Sequence, residues 1–217
     1  VEHRPLDFPK IWRMAQAKAR RPVRFGTCCT QVMGLFLDLH TDQYSDTRQV
    51  IWDMAEAMNK ELRALRDAGC KCIQIEEPTL HFWANTYGPD SEEVRFMIDA
   101  YNREVEGLED VEIWTHTCWG NPNMQRVIDD DSYQASFELY LDACRGDVWT
   151  VEMTDRDFAE IELFGARKGR LPKKVCVGVV SHRNLQADRP EDVAARIRKA
   201  PEHIHPGQPV LPPRRGL

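Results

Sequence analysis

The stretch CKCIQIEEP, residues 70–78, decides the fold of this chain. Its apolar residues, rich in Ile, predict a short buried strand that stops abruptly at two carboxylates and a proline. A helical pattern precedes it, because apolar residues recur at steps of three and four from Asp46 to Ala68, and Gly69 is a favourable helix end. The segment therefore predicts a helix that leads into a buried strand with polar groups at its carboxyl end.

The same alternation is repeated along the rest of the chain. Further strand-length runs are predicted at Pro22–Thr27, Val111–His116 (VEIWTH), Asp147–Glu152 (DVWTVE) and Lys174–Ser181 (KVCVGVVS). Helical patterns between and after them are predicted to begin near Asp90, Tyr133, Thr154 and Pro190. The third of these would start with a capping box formed by Thr154 and Asp157. Strands that alternate with helices predict parallel βα units, in either a doubly wound sheet or a (β/α)8 barrel.

The length of the chain limits these two possibilities. The 217 residues suffice for one domain with a sizeable core. A complete (β/α)8 barrel typically needs about 250 residues, so a barrel with about five strands would be incomplete. The sequence begins at Val1 rather than Met, which suggests that an upstream part is missing.

The composition excludes several classes of partner. Hydrophobic residues make up 42% and charged residues 29%, as in ordinary globular proteins. The net charge of −6 without a basic stripe gives no reason to propose nucleic acid. The apolar runs are too short to span a membrane, and the first ten residues lack the apolar segment of a signal peptide. The oligomeric state is not predicted.

The cysteines indicate a reducing compartment. There are seven of them, an odd number, in CC, CxC and isolated positions, which does not suit a secreted disulfide framework. The sequence therefore predicts a cytoplasmic protein in which most cysteines are small buried hydrophobic residues.

Chemically reactive groups are concentrated at the predicted carboxyl ends of the strands. The groups in question are Glu76, His116, Cys118, Glu152 and His182. In parallel α/β folds the loops at this end of the strands converge and form the site. A buried strand that ends in a carboxylate, an imidazole or a thiol needs a partner for that group, since an unpaired buried charge is unfavourable.

A metal site is one interpretation of three of these residues. His116 and Cys118 are two residues apart, so on an extended chain they point the same way at a spacing of about 7 Å. Together with Glu152 on the next strand they form a set of zinc ligands, and the sulfur disfavours magnesium and calcium. The alternative is a core histidine bonded to Glu152, with Cys118 as a plain buried thiol. Spacing alone does not choose between the two.

Four motifs resemble one known family in the right order. The segments IQIEEPTL, WTHTC, DVWTVEMTDRD and VGVVSHRN are similar to the catalytic domain of cobalamin-independent methionine synthases and their thiol-alkyltransferase relatives. Those relatives include coenzyme M transferases and share a barrel with uroporphyrinogen decarboxylase. The resemblance covers about Phe25 to Ala200. It implies a (β/α)8 barrel without its N-terminal strands and its final C-terminal strand, in residues 1–200, followed by an atypical proline-rich tail in residues 201–217.

The resemblance also implies roles for the strand-end residues. His116, Cys118 and Glu152 match three of the four zinc ligands of the family. Glu76 matches the acidic residue that holds the substrate amino group, although the family typically has Asp there. His182 falls near the acid histidine, offset by one residue. The implied reaction is transfer of a methyl group from a methyl-tetrahydrofolate-type donor to a thiol such as homocysteine, as in methionine biosynthesis.

The sequence departs from the family at the fourth zinc ligand. That cysteine belongs to a strand after the helix that ends near Ala200, where this chain has PEHIHPGQPVLPPRRGL without a cysteine. Cys28 and Cys29 are possible substitutes, whereas Cys176 is predicted to lie far from the carboxyl end of its strand. With a ligand and a strand missing, the sequence predicts weak or absent alkyl transfer.

Three alternatives therefore stay open at the level of sequence. The alkyl donor is either a methyl-tetrahydrofolate or an epoxide or other alkyl compound. A third possibility is an inactive fragment that binds only metal or a partner. The segment LHFWANTYG, residues 80–88, carries His81, Trp83 and Tyr87, which either stack on a flat substrate such as a pterin or, slightly favoured, pack over the barrel mouth.

Overall fold

A parallel sheet forms the centre of the protein. The computed structural model describes residues 5–35, 37–120, 132–167, 169–181 and 186–205. The strands within these ranges are β1 Phe25–Cys28, β2 Cys72–Glu76, β3 Glu112–Thr117, β4 Val148–Val151 and β5 Lys174–Val177. All four neighbouring pairs are parallel, and the sheet order is β1-β2-β3-β4-β5.

This order decides between the two predicted architectures. In a doubly wound sheet the strand order reverses at a switch point, whereas barrel strands follow one another in sequence order. The observed order has no reversal among the described strands. The fold is therefore that of a (β/α)8-type barrel, of which the described residues contain five strands, and the predicted parallel sheet is confirmed.

Helices connect the strands and cover one face of the sheet. They are α1 Phe8–Lys18, α2 Thr30–Leu35, α3 Thr47–Asp67, α4 Thr79–Tyr87, α5 Glu92–Glu104, α6 Glu162–Gly165 and α7 Pro190–His203, with a π-helix at Leu139–Ala143 and a 3₁₀ turn at Thr154–Arg156. No helix in the described ranges is both long and apolar enough to cross a lipid bilayer.

The two longest predicted helices are confirmed, and their ends follow from capping. The Asp46 carboxylate accepts a hydrogen bond from the Gln49 amide at 2.9 Å at the start of α3. Ser91 caps α5 in the same way through the amide of Val94, at 3.3 Å. The sequence did not predict α1, α2 and α4. The helices α2 and α4 have only six and nine residues, which is too few turns for a clear apolar period.

Two helix predictions are wrong in detail. The capping box of Thr154 and Asp157 does not form, because the Thr154 hydroxyl donates to the carbonyl of Gly178 at 2.8 Å and Asp157 adopts a φ of 49°. The apolar stripe that starts at Tyr133 becomes a short π-helix rather than a regular α-helix. The last helix runs to His203, past the predicted start of the tail at Pro201.

The two faces of the sheet have different environments. Alternate residues such as Ile73, Ile75 and Trp149 are buried in the main core beneath the helices. The opposite face, which is the barrel interior, carries a smaller cluster of Trp114, Val148 and Cys176. Polar side chains occupy this inner face at the carboxyl ends of the strands, where the candidate site lies.

Candidate active site at the carboxyl edge of the sheet

Strand register brings two predicted site residues together. Cys28 pairs with Glu76, Glu76 with His116, and His116 with Thr150, so these positions form one row across the inner face. The Glu76 Oε2 atom lies 3.4 Å from His116 Nε2. Gln74 lies two residues before Glu76 on β2, on the same face of the sheet. Its Nε2 donates to Glu76 Oε1 at 2.6 Å. The carboxylate is therefore held between an amide and an imidazole.

The two members of this pair differ in exposure. The Glu76 side chain is 31% exposed, whereas that of His116 is 6% exposed. Glu76 therefore presents one side of its carboxylate to the barrel interior while His116 lies deeper. This arrangement suits a residue that binds a polar group of a substrate next to an imidazole that is fixed in place.

Cys118 and Glu152 each lie two residues after the register partners His116 and Thr150, closer to the carboxyl edge of the sheet. The Glu152 amide donates to the carbonyl of Thr117 at 3.1 Å, which continues the pairing of β3 with β4 beyond the last strand residues. The Tyr133 hydroxyl donates to the Glu152 carbonyl at 3.1 Å. Burial raises the pKa of Tyr133 well above its usual value, and the charges of Glu152 and Cys118 raise it further. Both strand ends therefore lie close to one buried hydroxyl.

The structure does not gather the predicted metal ligands around one point. Within the described ranges no group of three or more His, Cys, Asp and Glu side chains is close enough to hold a metal ion. One reason is visible at Glu152, whose Oε1 accepts from the Asp155 amide at 3.0 Å and so caps the 3₁₀ turn. Another is that His116 Nε2 faces Glu76. The donor set itself, with imidazole, thiol and carboxylate on adjacent strand ends, fits the ligand chemistry of zinc.

The predicted acid His182 lies outside the described residues. The residue before it, Ser181, is anchored at the same edge of the sheet. Its amide donates to Asp188 Oδ2 at 2.9 Å, and its hydroxyl donates to Asp155 Oδ1 at 3.2 Å. The chain that leads to His182 therefore starts beside the turn that follows Glu152.

The structure changes which cysteines lie near the site and could replace the family's fourth zinc ligand. Strand β5 ends at Val177 rather than near Ser181, and Cys176 is therefore one residue from its carboxyl end. Cys176 is the register partner of Thr150, which places it in the same row as His116. The prediction that Cys176 is far from the carboxyl end is wrong. It is buried against Trp114, and burial raises its pKa to about 12. Cys28 is exposed beside Glu76, whereas Cys29 is buried in the core.

Sequence reasoning missed two buried ionisable groups near the site, Glu77 and Glu104. It did name His81 and slightly favoured packing for that residue. His81 packs edge-on against Trp119 and Tyr133, with ring centroids 4.6 and 5.7 Å away, and burial lowers its pKa to about 3. This supports packing for His81 rather than exposure to a substrate. For Glu77 a signal was available, because alternation along β2 directs Glu76 and Glu77 to opposite faces.

The comparisons with known proteins agree with this geometry. The sequence profile of the family described as "Cobalamin-independent synthase, Catalytic domain" matches residues 38–213. A methionine synthase of Thermococcus kodakarensis is 30% identical over 176 residues, which is 81% of this chain and 46% of the relative. One of Sulfurisphaera tokodaii is 26% identical over 178 residues, 82% of this chain and 46% of the relative. The chain thus spans about half the length of the curated relatives it matches.

Solved structures confirm the fold. A B12-independent methionine synthase from Shewanella sp. W3-18-1, in complex with selenomethionine, superposes with a TM-score of 0.73 and 21% identity, over 97% of this chain and 60% of that chain. A putative vitamin-B12-independent methionine synthase from Listeria monocytogenes gives a TM-score of 0.68 and 19% identity, over 95% and 62%. The profile match covers most of the sequence, and this chain belongs to the family of cobalamin-independent synthase catalytic domains.

Proposed function

We propose that this chain is the catalytic part of a zinc-dependent methyltransferase that moves a methyl group from a methyl-tetrahydrofolate-type donor to the thiol of homocysteine. The observation that carries the proposal is the set of side chains at one edge of the sheet. Glu76 and His116 are in contact on β2 and β3, and Cys118 and Glu152 end β3 and β4 beside them. Family membership supports the same reaction.

The product of the reaction also has support among the relatives. The Shewanella protein was solved with selenomethionine, the selenium analogue of a methylated homocysteine. Several relatives that match this chain are named methionine synthases. Together these names favour a small amino acid with a thiol as the methyl acceptor of this chain.

Glu76 is the residue that we expect to recognise the amino group of the acceptor. Its carboxylate is partly exposed on the inner face, and Gln74 fixes one of its oxygens at 2.6 Å. A carboxylate that accepts a hydrogen bond from an ammonium group forms a charge-assisted contact, which is stronger than a neutral one. The acceptor would lie above the row that contains His116.

His116, Cys118 and Glu152 are the residues that we expect to hold zinc. They supply nitrogen, sulfur and oxygen ligands, the combination that zinc accepts. When bound, zinc would stabilise the deprotonated form of the acceptor thiol, which is otherwise mostly protonated at neutral pH. Because the Asp155 amide bonds to Glu152 Oε1, we expect Oε2 to be the carboxylate oxygen that contacts the metal.

His182 is the residue that we expect to act as the acid. As the sulfur–carbon bond forms, the carbon–nitrogen bond of the donor breaks, and the departing nitrogen needs a proton. The thiol proton has by then been lost to solvent. His182 follows Ser181, which is anchored beside Asp155 near the same edge.

The test is an assay of the zinc-loaded protein with methyl-tetrahydrofolate and homocysteine, and in parallel with small epoxides and the same thiol. We expect methionine to form slowly at most in the first assay, because the sequence has no cysteine where the family has its fourth zinc ligand. Turnover with epoxides alone would replace the methyl donor in the proposal. Zinc binding without turnover of either donor would favour a chain that binds metal only.

The remaining expectations concern location and chain organisation. All seven cysteines lie in the described ranges and none of them forms a disulfide bond there, which supports a reducing cytoplasm as the expected location. We also propose that residues 1–200 form the catalytic barrel unit and that residues 201–217 are a tail, the first three residues of which continue α7. Limited proteolysis that removes the tail and leaves a stable core would support this division.

A further inference from the structure

We infer that Glu77, the second carboxylate after β2, is a positioning residue that fixes Glu76 against His116. This inference rests on the proposed function, in which Glu76 contacts the acceptor. Glu77 is 2% exposed and lies on the helix side of the sheet, opposite Glu76. It therefore has no access to substrate and acts only through the residues that it holds.

The Glu77 carboxylate fixes the turn between β2 and α4. It accepts hydrogen bonds from the amides of Thr79 and Leu80, each at 3.2 Å, and from the Thr79 hydroxyl. These amides are at the start of α4, where backbone donors have no partner inside the helix. The direction in which the chain leaves Glu76 is thus tied to a buried carboxylate.

A second set of contacts ties Glu77 to the neighbouring strands. Its amide donates to the carbonyl of His116 at 2.8 Å, which extends the pairing of β2 with β3 past Glu76. The Tyr140 hydroxyl donates to Glu77 Oε2 at 2.7 Å and lies 3.1 Å from the Glu77 carbonyl oxygen. The Tyr140 ring is itself stacked on Trp149 of β4, with centroids 5.0 Å apart. Glu77 therefore connects β2, β3 and β4 directly behind the site.

The chemistry explains why a carboxylate is retained in this buried position. Burial raises the pKa of Glu77, while the hydrogen bonds from Thr79, Tyr140 and Leu80 lower it. Both carboxyl oxygens of Glu77 take part in the observed hydrogen bonds, Oε1 and Oε2 with the Leu80 amide and Oε2 also with the Tyr140 hydroxyl. A side chain without acceptors would leave the amides of Thr79 and Leu80 at the start of α4 buried without partners, and the turn would have to move.

The test compares Glu77→Ala with a matched buried carboxylate. Glu104 is also fully buried and holds the start of α2 through the Thr30 amide at 3.0 Å and hydroxyl at 3.1 Å. The charge of Glu77 raises the pKa of Glu104, but the hydrogen bonds of the Glu104 carboxylate go to Thr30 and not to the turn after β2. In Glu77→Ala we expect the His116 ring resonances in NMR spectra to shift and the Kd for homocysteine to rise about 10- to 100-fold. Glu104→Gln should leave the His116 resonances unshifted and the Kd for homocysteine within about twofold of that of the unmodified protein.

The conservative variant and a double mutant separate positioning from folding. Glu77→Gln keeps one acceptor oxygen and should restore the Kd to within a few-fold of that of the unmodified protein. In a Glu76→Ala background, Glu77→Ala should add little further loss of binding, because the contact that it positions is already absent. Equal losses in both backgrounds would contradict the inference.

Three further outcomes are decisive. A folded Glu77→Ala protein with unchanged His116 resonances and unchanged Kd would overturn the inference. If Glu77→Ala does not fold, the substitution Tyr140→Phe takes its place, because it removes one contact to the Glu77 carboxylate. Tyr140→Phe should then shift the His116 resonances. Unchanged His116 resonances in this variant would also overturn the inference. If the unmodified protein does not bind homocysteine, the proposed function fails, and the His116 resonances alone decide the positioning role.

Discussion

Glu76 Oε2 lies 3.4 Å from His116 Nε2, across the parallel pair β2–β3 in which the two residues are register partners. Neighbouring strands are about 4.8 Å apart, so side chains that leave the same face of two paired positions meet above the sheet. The contact joins the residue that we expect to bind the acceptor amino group to a residue that we expect to hold zinc.

Replacing Glu76 by Gln should weaken the binding of homocysteine, because the side chain loses the charge that pairs with the ammonium group. We expect KM to rise about 10- to 100-fold, which corresponds to the loss of one charge-assisted hydrogen bond. The matched experiment uses 4-mercaptobutanoate, which lacks the amino group. If Glu76→Gln affects both thiols equally, Glu76 does not recognise the amino group.

Replacing Cys118 by Ser should lower the affinity for zinc by about 10- to 100-fold or more. That range is typical when a residue that only supports a metal ligand is replaced, and Cys118 is expected to be a ligand itself. The metal content of the purified protein is measured by mass spectrometry. Cys144→Ala is the control, since Cys144 is buried in the main core away from the inner face. Equal zinc content in the two variants would mean that the metal binds elsewhere.

Glu104 should make the protein less stable as pH rises. Burial raises its pKa from 4.5 to about 8, so between these values the unfolded state has lost a proton that the folded state keeps. Stability from this group is therefore complete below about pH 4.5 and is lost by about pH 8, with a slope of up to ~1.4 kcal/mol per pH unit. Glu104→Gln should flatten the dependence in urea unfolding, whereas Glu92→Gln, at an exposed site, should not.

His81 should make the protein less stable as pH falls, the opposite of the effect expected for Glu104. Burial lowers its pKa from 6.5 to about 3, so below about pH 6.5 the unfolded state binds a proton that the folded state excludes. Stability from this group is complete above pH 6.5 and is lost as pH falls toward 3. His81→Phe should unfold at a lower pH than the unmodified protein in an acid titration followed by circular dichroism. The exposed His40 offers the control His40→Phe, for which an equal shift would count against this assignment.

The sequence by itself determined the order of the five strands, the two long helices α3 and α5, and the position of the reactive groups at strand ends. These features depend on local periodicity, which is readable along a single chain. The motif IQIEEPTL therefore predicted the strand β2 and the exit of Glu76 at its carboxyl end. The helices α3 and α5 were predictable for the same reason, since their capping residues and apolar stripes are adjacent in sequence.

Only the tertiary structure decided which of these groups meet. Register between β2 and β3 brings Glu76 to His116, and the early end of β5 puts Cys176 in the same row. The hydroxyl of Thr154 bonds to Gly178 and not to its own turn, so a capping box that fits the sequence does not form. Each of these outcomes depends on contacts between residues that are far apart along the chain, and local sequence patterns carry no information about the competition between such contacts.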